Sequence, residues 1–219
     1  MSEPKISTKE NLKEAFAQLR DVNPLLELDD RNINGSSFKV FKNAPKTMRD
    51  LFVVIEFLHG DFPFVVENSD ELSFAEVISK AKNIASYLEK QGIKPGDKIG
   101  ICMQNCTEWV VIYVALAAFG VTVVPFNSWW KTEELSYGIE HSEVKLIFAD
   151  TKRFQLIQHL NIQCVVTGSS ETQDTYDLVS AGDAADWPEA NASEEDVSVL
   201  LYTSGSTGLP KGVMLTHLA

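Results

Sequence analysis

Apolar and polar positions alternate along this chain in two periods, and the switches between them mark out its elements. From Thr8 to Leu19 a period near 3.6 puts Leu12, Phe16 and Leu19 on one face of a predicted helix, and a polar connection follows through Gly35-Ser36-Ser37. Thr47 to Leu58 reads as a second helix and Phe62 to Glu67 as a strand. Ser73-Phe74-Ala75-Glu76 is a capping box, because a hydroxyl and a carboxylate three residues apart can each bond the other's backbone N–H. The helix it opens runs to Gly92, and Val77, Ile78, Ala81, Ile84, Ala85 and Leu88 form one apolar stripe along it, the pattern of core packing.

From there the periods alternate. Strands near Lys98 to Met103, Val121 to Phe126, Lys145 to Ala149 and Cys164 to Thr167 are separated by helices near Thr107 to Phe119, Thr132 to His141 and Lys152 to Leu160. This order predicts an α/β fold, a doubly wound, mostly parallel sheet with helices on both faces and right-handed crossovers. Trp109 to Trp130 carries no charged residue, so a membrane-spanning helix has to be weighed. Gly120 and Pro125 favour two buried elements instead. The helix would open at Asn105 with Glu108 as an N-cap pair and stop at Gly120, ahead of the β-branched strand Val121-Thr122-Val123-Val124.

Composition agrees with one globular unit: 219 residues, 44% hydrophobic and 23% charged. The formal net charge of -12 argues against a general nucleic-acid binder, which needs clustered Lys and Arg. Between Arg153 and Lys211 there is no Lys or Arg, while acidic residues from Glu171 to Asp196 accumulate; with Ser169-Ser170, Gly182 and Pro188, this reads as a solvated, loop-rich surface. Cys102, Cys106 and Cys164 make no even disulfide framework, and four scattered histidines have no metal-ligand spacing, so no metal site is expected. Cys102-x-x-x-Cys106 reads as two small buried thiols across a strand-to-helix turn. The N-terminus has no hydrophobic signal core, and a cytoplasmic location is the expectation.

The chemistry concentrates at Tyr202-Thr203-Ser204-Gly205-Ser206-Thr207-Gly208-Leu209-Pro210-Lys211-Gly212. Glycines let backbone N–H groups approach an anion, the hydroxyls of Thr203, Ser204, Ser206 and Thr207 can donate to phosphate oxygens, and Lys211 adds a cation. Val197 to Tyr202 reads as a buried strand and Val213 to Thr216 as another, so the loop joins two strands. A Walker A loop fails on spacing, since Pro210 stands where its second glycine should be and Gly212 follows the lysine. The alternative is a Gly/Ser linker, which is seldom bracketed by apolar strands.

Residues 202 to 212 resemble the phosphate-binding signature of the AMP-forming adenylate-forming superfamily. Leu72 to Val77, Gly92 to Ile101 and Ala115 to Pro125 resemble its upstream motifs in the same order, and Asn127 to Leu135 is most similar to the fatty-acyl-CoA synthetase branch. The resemblance implies an acid-thiol ligase that joins a carboxylate, here a fatty acid, to AMP at the expense of ATP with Mg²⁺, and then to coenzyme A. Thr203, Ser204, Gly205, Ser206, Thr207, Gly208 and Lys211 would bind the ATP phosphates. His217 lies just beyond the motif, with a functional role and a strand-end role both open. By the same likeness, residues 1–46 are an N-terminal helical or extended arm and 47–219 an incomplete N-terminal domain.

Complete members place their adenine site, acyl pocket, Mg²⁺-binding glutamate and adenylation lysine further along. The 219 residues are therefore expected to lack free-standing catalysis and to self-associate through exposed sheet edges. Three readings stay open: part of an acyl-CoA synthetase, a non-catalytic short product acting as an interaction module, and membrane attachment through Trp109 to Trp130. The family leaves a peroxisomal or membrane-peripheral location open as well.

Overall fold

The computed structural model describes residues 9–33, 35–168, 174–184, 186–203 and 210–218. They form two compact units, divided between Pro45 and Lys46. In the first unit, helix α1 (Lys9–Val22) leads through a 3-10 turn (Pro24–Leu26) to an antiparallel hairpin of β1 (Leu28–Ile33) and β2 (Ser36–Phe41). Leu12, Phe16 and Leu19 are exposed on α1. Gly35-Ser36-Ser37, expected as a polar connection, is instead the end of the turn and the start of β2. Gly35 sits at φ 84° and donates its N–H to the Asn32 side chain, a conformation that costs glycine little. An Asn-Gly pair between alternating strands is the strongest short hairpin signal, and it stands at residues 34–35.

The second unit opens with α2 (Met48–His59), capped by the reciprocal bonds of Thr47 and Asp50. A hairpin of β3 (Pro63–Glu67) and β4 (Asp70–Ser73) follows, and then α3 (Phe74–Lys90). The expected capping box is formed, with Ser73 Oγ accepting from Glu76 N and Glu76 Oε2 accepting from Ser73 N. All six residues of the α3 stripe are buried.

The rest alternates as β5 (Lys98–Cys102), α4 (Thr107–Phe119), β6 (Thr122–Pro125), α5 (Thr132–Ser142), β7 (Leu146–Asp150), α6 (Thr151–Ile157), β8 (Gln163–Thr167), α7 (Tyr176–Ser180), β9 (Val197–Thr203) and β10 (Lys211–Thr216). They make a six-stranded sheet in the order β10-β9-β6-β5-β7-β8, parallel except for the antiparallel β9–β10 pair. Side-chain alternation splits the core between two faces. Ile99, Ile101, Val123 and Phe148 pack with α3 and α4, while Cys102, Val124, Ile147 and Ala149 pack with α5 and α6. This is the doubly covered, mostly parallel α/β sheet that the alternation of periods predicts. The apolar run from Trp109 to Trp130 resolves into α4, β6 and their loops, and among the described residues no helix is long and apolar enough to cross a membrane.

Two local expectations are corrected. The N-cap of α4 is Cys106, without a side-chain cap bond, and not Asn105. The cap is supplied from β3, where Glu67 Oε2 accepts from both Thr107 N (2.8 Å) and Thr107 Oγ1 (2.7 Å). These bonds hold the Glu67 carboxyl below the usual carboxylate range. The negative charge also meets the positive end of the α4 dipole. The acidic stretch, expected as a solvated, loop-rich surface, has no helix or strand among the described residues 181–196 and leaves most of its acidic residues exposed, but it also contains α7, with Tyr176, Val179 and Ser180 buried. It is also pinned by Trp187, whose ring centre lies 5.7 Å from the Arg49 guanidinium. Arg49 donates to the carbonyls of Ala118 and Pro188, tying α2, α4 and this stretch together.

His217 lies in the turn after β10, where its Nδ1 accepts the Met48 N–H at 3.2 Å and so caps α2 from across the sequence. Burial lowers its pKa from 6.5, because the charged imidazolium loses hydration there, and the neutral ring that burial favours is the form able to accept the Met48 N–H.

Glu67→Ala is expected to lower the melting temperature of the 219-residue chain, whereas Asn105→Ala, at an exposed site, should leave stability within about 0.5 kcal/mol of the wild type; parallel thermal melts check both. The depressed His217 pKa means that its contribution is fully present above the unfolded value of 6.5 and is lost as pH falls from there toward the folded value. Urea titrations should thus show a gap between wild type and His217→Ala that is widest above pH 6.5 and narrows below it.

Candidate functional site at the carboxyl edge of the sheet

Because β5, β6, β7, β8 and β9 run parallel, the loops after them gather at one edge, where open α/β sheets bind ligands. The predicted phosphate loop leaves this edge. β9 ends at Thr203 and the chain returns as β10 from Lys211, so the motif does join two strands, with Thr203 paired to Lys211 and Tyr202 to Gly212. At this mouth Thr203 and Lys211 are both exposed, and Thr203 Oγ1 donates to the Lys211 carbonyl at 3.4 Å. Ser204, Gly205, Ser206, Thr207 and Gly208 lie outside the described residues.

Gly212 has a packing reason of its own, since a Cβ there would come within 2.9 Å of Leu200 Cδ1. β9, expected to be buried, has Ser198 as its one buried residue. It is the penultimate strand, and its neighbour β10 leaves Val213, Met214 and Leu215 exposed.

Three neighbouring loops at this edge are locked by a charge pair that the sequence pattern did not single out. Asp150 caps α6 through Oδ1, which accepts Arg153 N, and its Oδ2 accepts Gln104 N from the β5–α4 loop. The buried Arg153 guanidinium pairs with Asp150 at 3.0 Å and donates twice, at 3.1 and 2.8 Å, to the Ser128 carbonyl of the β6–α5 loop. An Asp immediately before a helix, with Arg three residues on, was the available sequence signal.

The Ser128 loop carries two adjacent tryptophans with opposite fates. Trp129 is 88% exposed, and Trp130 turns inward against Phe126 and Tyr202. Gly138 of α5 makes room for both rings: a Cβ there would lie 2.8 Å from Trp130 and 3.2 Å from Phe126. Tyr202 completes the cluster, with its hydroxyl 2.7 Å from His141 Nδ1 and burial raising its pKa.

The cysteines form the expected turn, with Cys102 buried at the end of β5 and Cys106 half-buried at the start of α4. Burial pushes both thiols up to about 12 and Cys164 to about 11, so all three are protonated at neutral pH and poorly nucleophilic. Among the described residues no group of three His, Cys, Asp or Glu side chains is placed to hold a metal ion.

The chain is similar to known proteins in sequence and in fold. The family model of the AMP-binding enzymes matches residues 57–219. Fatty acyl-CoA synthetase A of Dictyostelium discoideum is 32% identical over 164 residues, which are 67% of this chain and 25% of that protein. Tyrocidine synthase 2 of Brevibacillus parabrevis is 26% identical over 174 residues, 80% of this chain and 5% of that one. The anthranilate CoA ligase AuaEII, solved with anthranoyl-AMP, superposes with a TM-score of 0.73 at 20% identity, over 78% of this chain and 35% of the ligase. A Mycobacterium tuberculosis fatty acyl CoA synthetase gives 0.69 at 23% identity with the same coverage. At those identities the structural likeness is one of fold, and the chain spans well under half the length of each of these proteins. The family model, covering the whole sheet and the mouth of the β9–β10 hairpin, places the chain among the AMP-binding enzymes of the adenylate-forming superfamily.

Proposed function

We propose that this chain is part of an AMP-forming acyl-CoA ligase and that the segment from Thr203 to Lys211 holds the β- and γ-phosphates of ATP. The observation that carries the reading is the β9–β10 mouth, which pairs a hydroxyl and a cation at the carboxyl edge of a parallel sheet, inside the family-matched region. Ser204, Gly205, Ser206, Thr207 and Gly208 contribute hydroxyls and backbone N–H groups to the same cradle. In the reaction, a substrate carboxylate oxygen attacks the α-phosphorus of ATP, and pyrophosphate leaves with the electron pair of the broken P–O bond. The coenzyme A thiol then attacks the acyl carbon and loses its proton, and AMP departs.

The chain's own part is to position the phosphates and stabilise the leaving pyrophosphate by charge, without proton transfer. Thr203 and Lys211 suit a polyanion because one donates a hydrogen bond and the other a full positive charge. Mg²⁺, which enters with the nucleotide, supplies further charge neutralisation. A fatty acid as the carboxylate rests on the likeness of Asn127 to Leu135 to the fatty-acyl branch and on the name of the Dictyostelium relative.

Calorimetric titration of the 219-residue chain with magnesium pyrophosphate should show saturable binding that Lys211→Ala weakens about tenfold, as expected for one lost charged contact. Binding that is absent, or equal in the variant, overturns the assignment of the phosphate site. The same 219 residues, without the further segments present in the relatives, should show no carboxylate-dependent ATP–pyrophosphate exchange. Exchange abolished by Lys211→Ala would show that this much of the fold already suffices for adenylation.

A further inference from the structure

The ladder of hydrogen bonds holds β9 unevenly. On the β6 side its register contains one pair, Val123 with Val199, so residues 200–203 have β10 as their ladder partner among the described residues. β10 is itself the outermost strand of the sheet, with its apolar residues exposed. Backbone pairing therefore leaves the end of β9 weakly anchored to the body of the sheet, at the point where the phosphate segment departs.

Side chains make up the difference at Tyr202. Its ring lies 6.3 Å from Phe126 in a stacked arrangement, and meets Trp130 and His141 edge-on at 5.7 and 5.8 Å. Phe126 is buried, and the loop bearing Trp130 is held by the two Arg153 bonds to Ser128. Ring packing of this kind is only weakly directional. The Tyr202 hydroxyl adds directional contacts, lying 2.7 Å from His141 Nδ1 and 3.4 Å from the Gly138 carbonyl. Both contacts are satisfied together when His141 Nδ1–H donates to Tyr202 Oη and the Tyr202 O–H donates to the Gly138 carbonyl. The His141 ring is in turn stacked on Tyr137 at 5.3 Å, one helical turn earlier on α5.

We propose that His141 is a positioning residue which, through Tyr202, fixes the Thr203 end of the β9–β10 mouth relative to α5. Nothing in this role requires His141 to touch a ligand. Successive residues of a strand point to opposite faces, so holding Tyr202 on one face fixes where the Thr203 hydroxyl emerges on the other. The role in phosphate binding rests on the function proposed above; the role in ordering the mouth does not.

The test uses the 219-residue chain with Tyr202→Phe, which keeps the ring and removes the hydroxyl, together with His141→Ala and His141→Gln. Hydrogen exchange should rise by about tenfold in the peptides covering Tyr202–Thr203 and Lys211–Gly212 in Tyr202→Phe and His141→Ala, with exchange in β5 unchanged. His141→Gln, whose amide can still donate, should restore protection. Magnesium pyrophosphate binding should weaken several-fold in the first two variants and recover in the third. Unchanged exchange at the mouth in Tyr202→Phe or His141→Ala overturns the inference, whereas increased exchange with pyrophosphate binding still at the wild-type level upholds the ordering role and overturns its part in phosphate binding. A chain whose pyrophosphate binding is indifferent to Lys211→Ala sinks the phosphate-site assignment instead, and the exchange data then decide the ordering role alone.

Discussion

Strand β5 is hydrogen-bonded to β6 on one side and β7 on the other, and is covered on both faces, with Ile99, Ile101 and Cys102 fully buried. A strand in that position can carry little but apolar or very small residues, and it needs a helical layer on each side. Gly100 shows how tight this is: a Cβ there would stand 2.8 Å from Phe126 and 3.0 Å from Ile147. Helices α3 and α4 supply one layer, α5 and α6 the other. Parallel strands joined by such crossovers all point the same way, so their following loops must share an edge. Gln104, Ser128, Asp150 and Thr203 are brought together at that edge by this requirement.

What holds the edge in shape is of two kinds. In the Asp150–Arg153 pair Arg153 is buried and Asp150 partly so, and the contact is directional. Withdrawing a guanidinium from water is costly, and three donated hydrogen bonds, one to the carboxylate and two to a carbonyl, compensate the charge. The Phe126, Trp130 and Tyr202 rings are less directional and depend on volume, which is why Gly138 matters on α5. Between them, these interactions connect the turn after β7 to the end of β9 without any ladder joining those two strands.

Much of the fold was legible because its signals are local. The Ser73–Glu76 box, the α3 stripe, the stop at Gly120 (φ 81°) and the two-strand setting of the phosphate segment each depend on residues close in sequence. The misreadings share the opposite property. Asn105 has the right residue type for an N-cap, but the Thr107 N–H is taken by Glu67, 40 residues before Thr107. The stretch holding α7 is acidic, yet Tyr176 and Trp187 within it pack against the α3 and α4 side of the core. The Gly35 turn is the exception, a local signal masked by the serines beside it, whose composition is that of a loop.

The sequence by itself determined the period of α1 to α6, of β3 and of β5 to β10, the doubly wound order, the family and the identity of the phosphate-binding candidates, since all of these are carried by residue type at short spacing. Tertiary structure alone decided which of the two tryptophans turns inward, that His217 caps α2, that Arg153 locks three loops, and that Tyr202 meets His141. Each of those depends on distances between residues far apart in the chain, and these are set by how helices pack on a sheet, not by any pattern within a helix or strand.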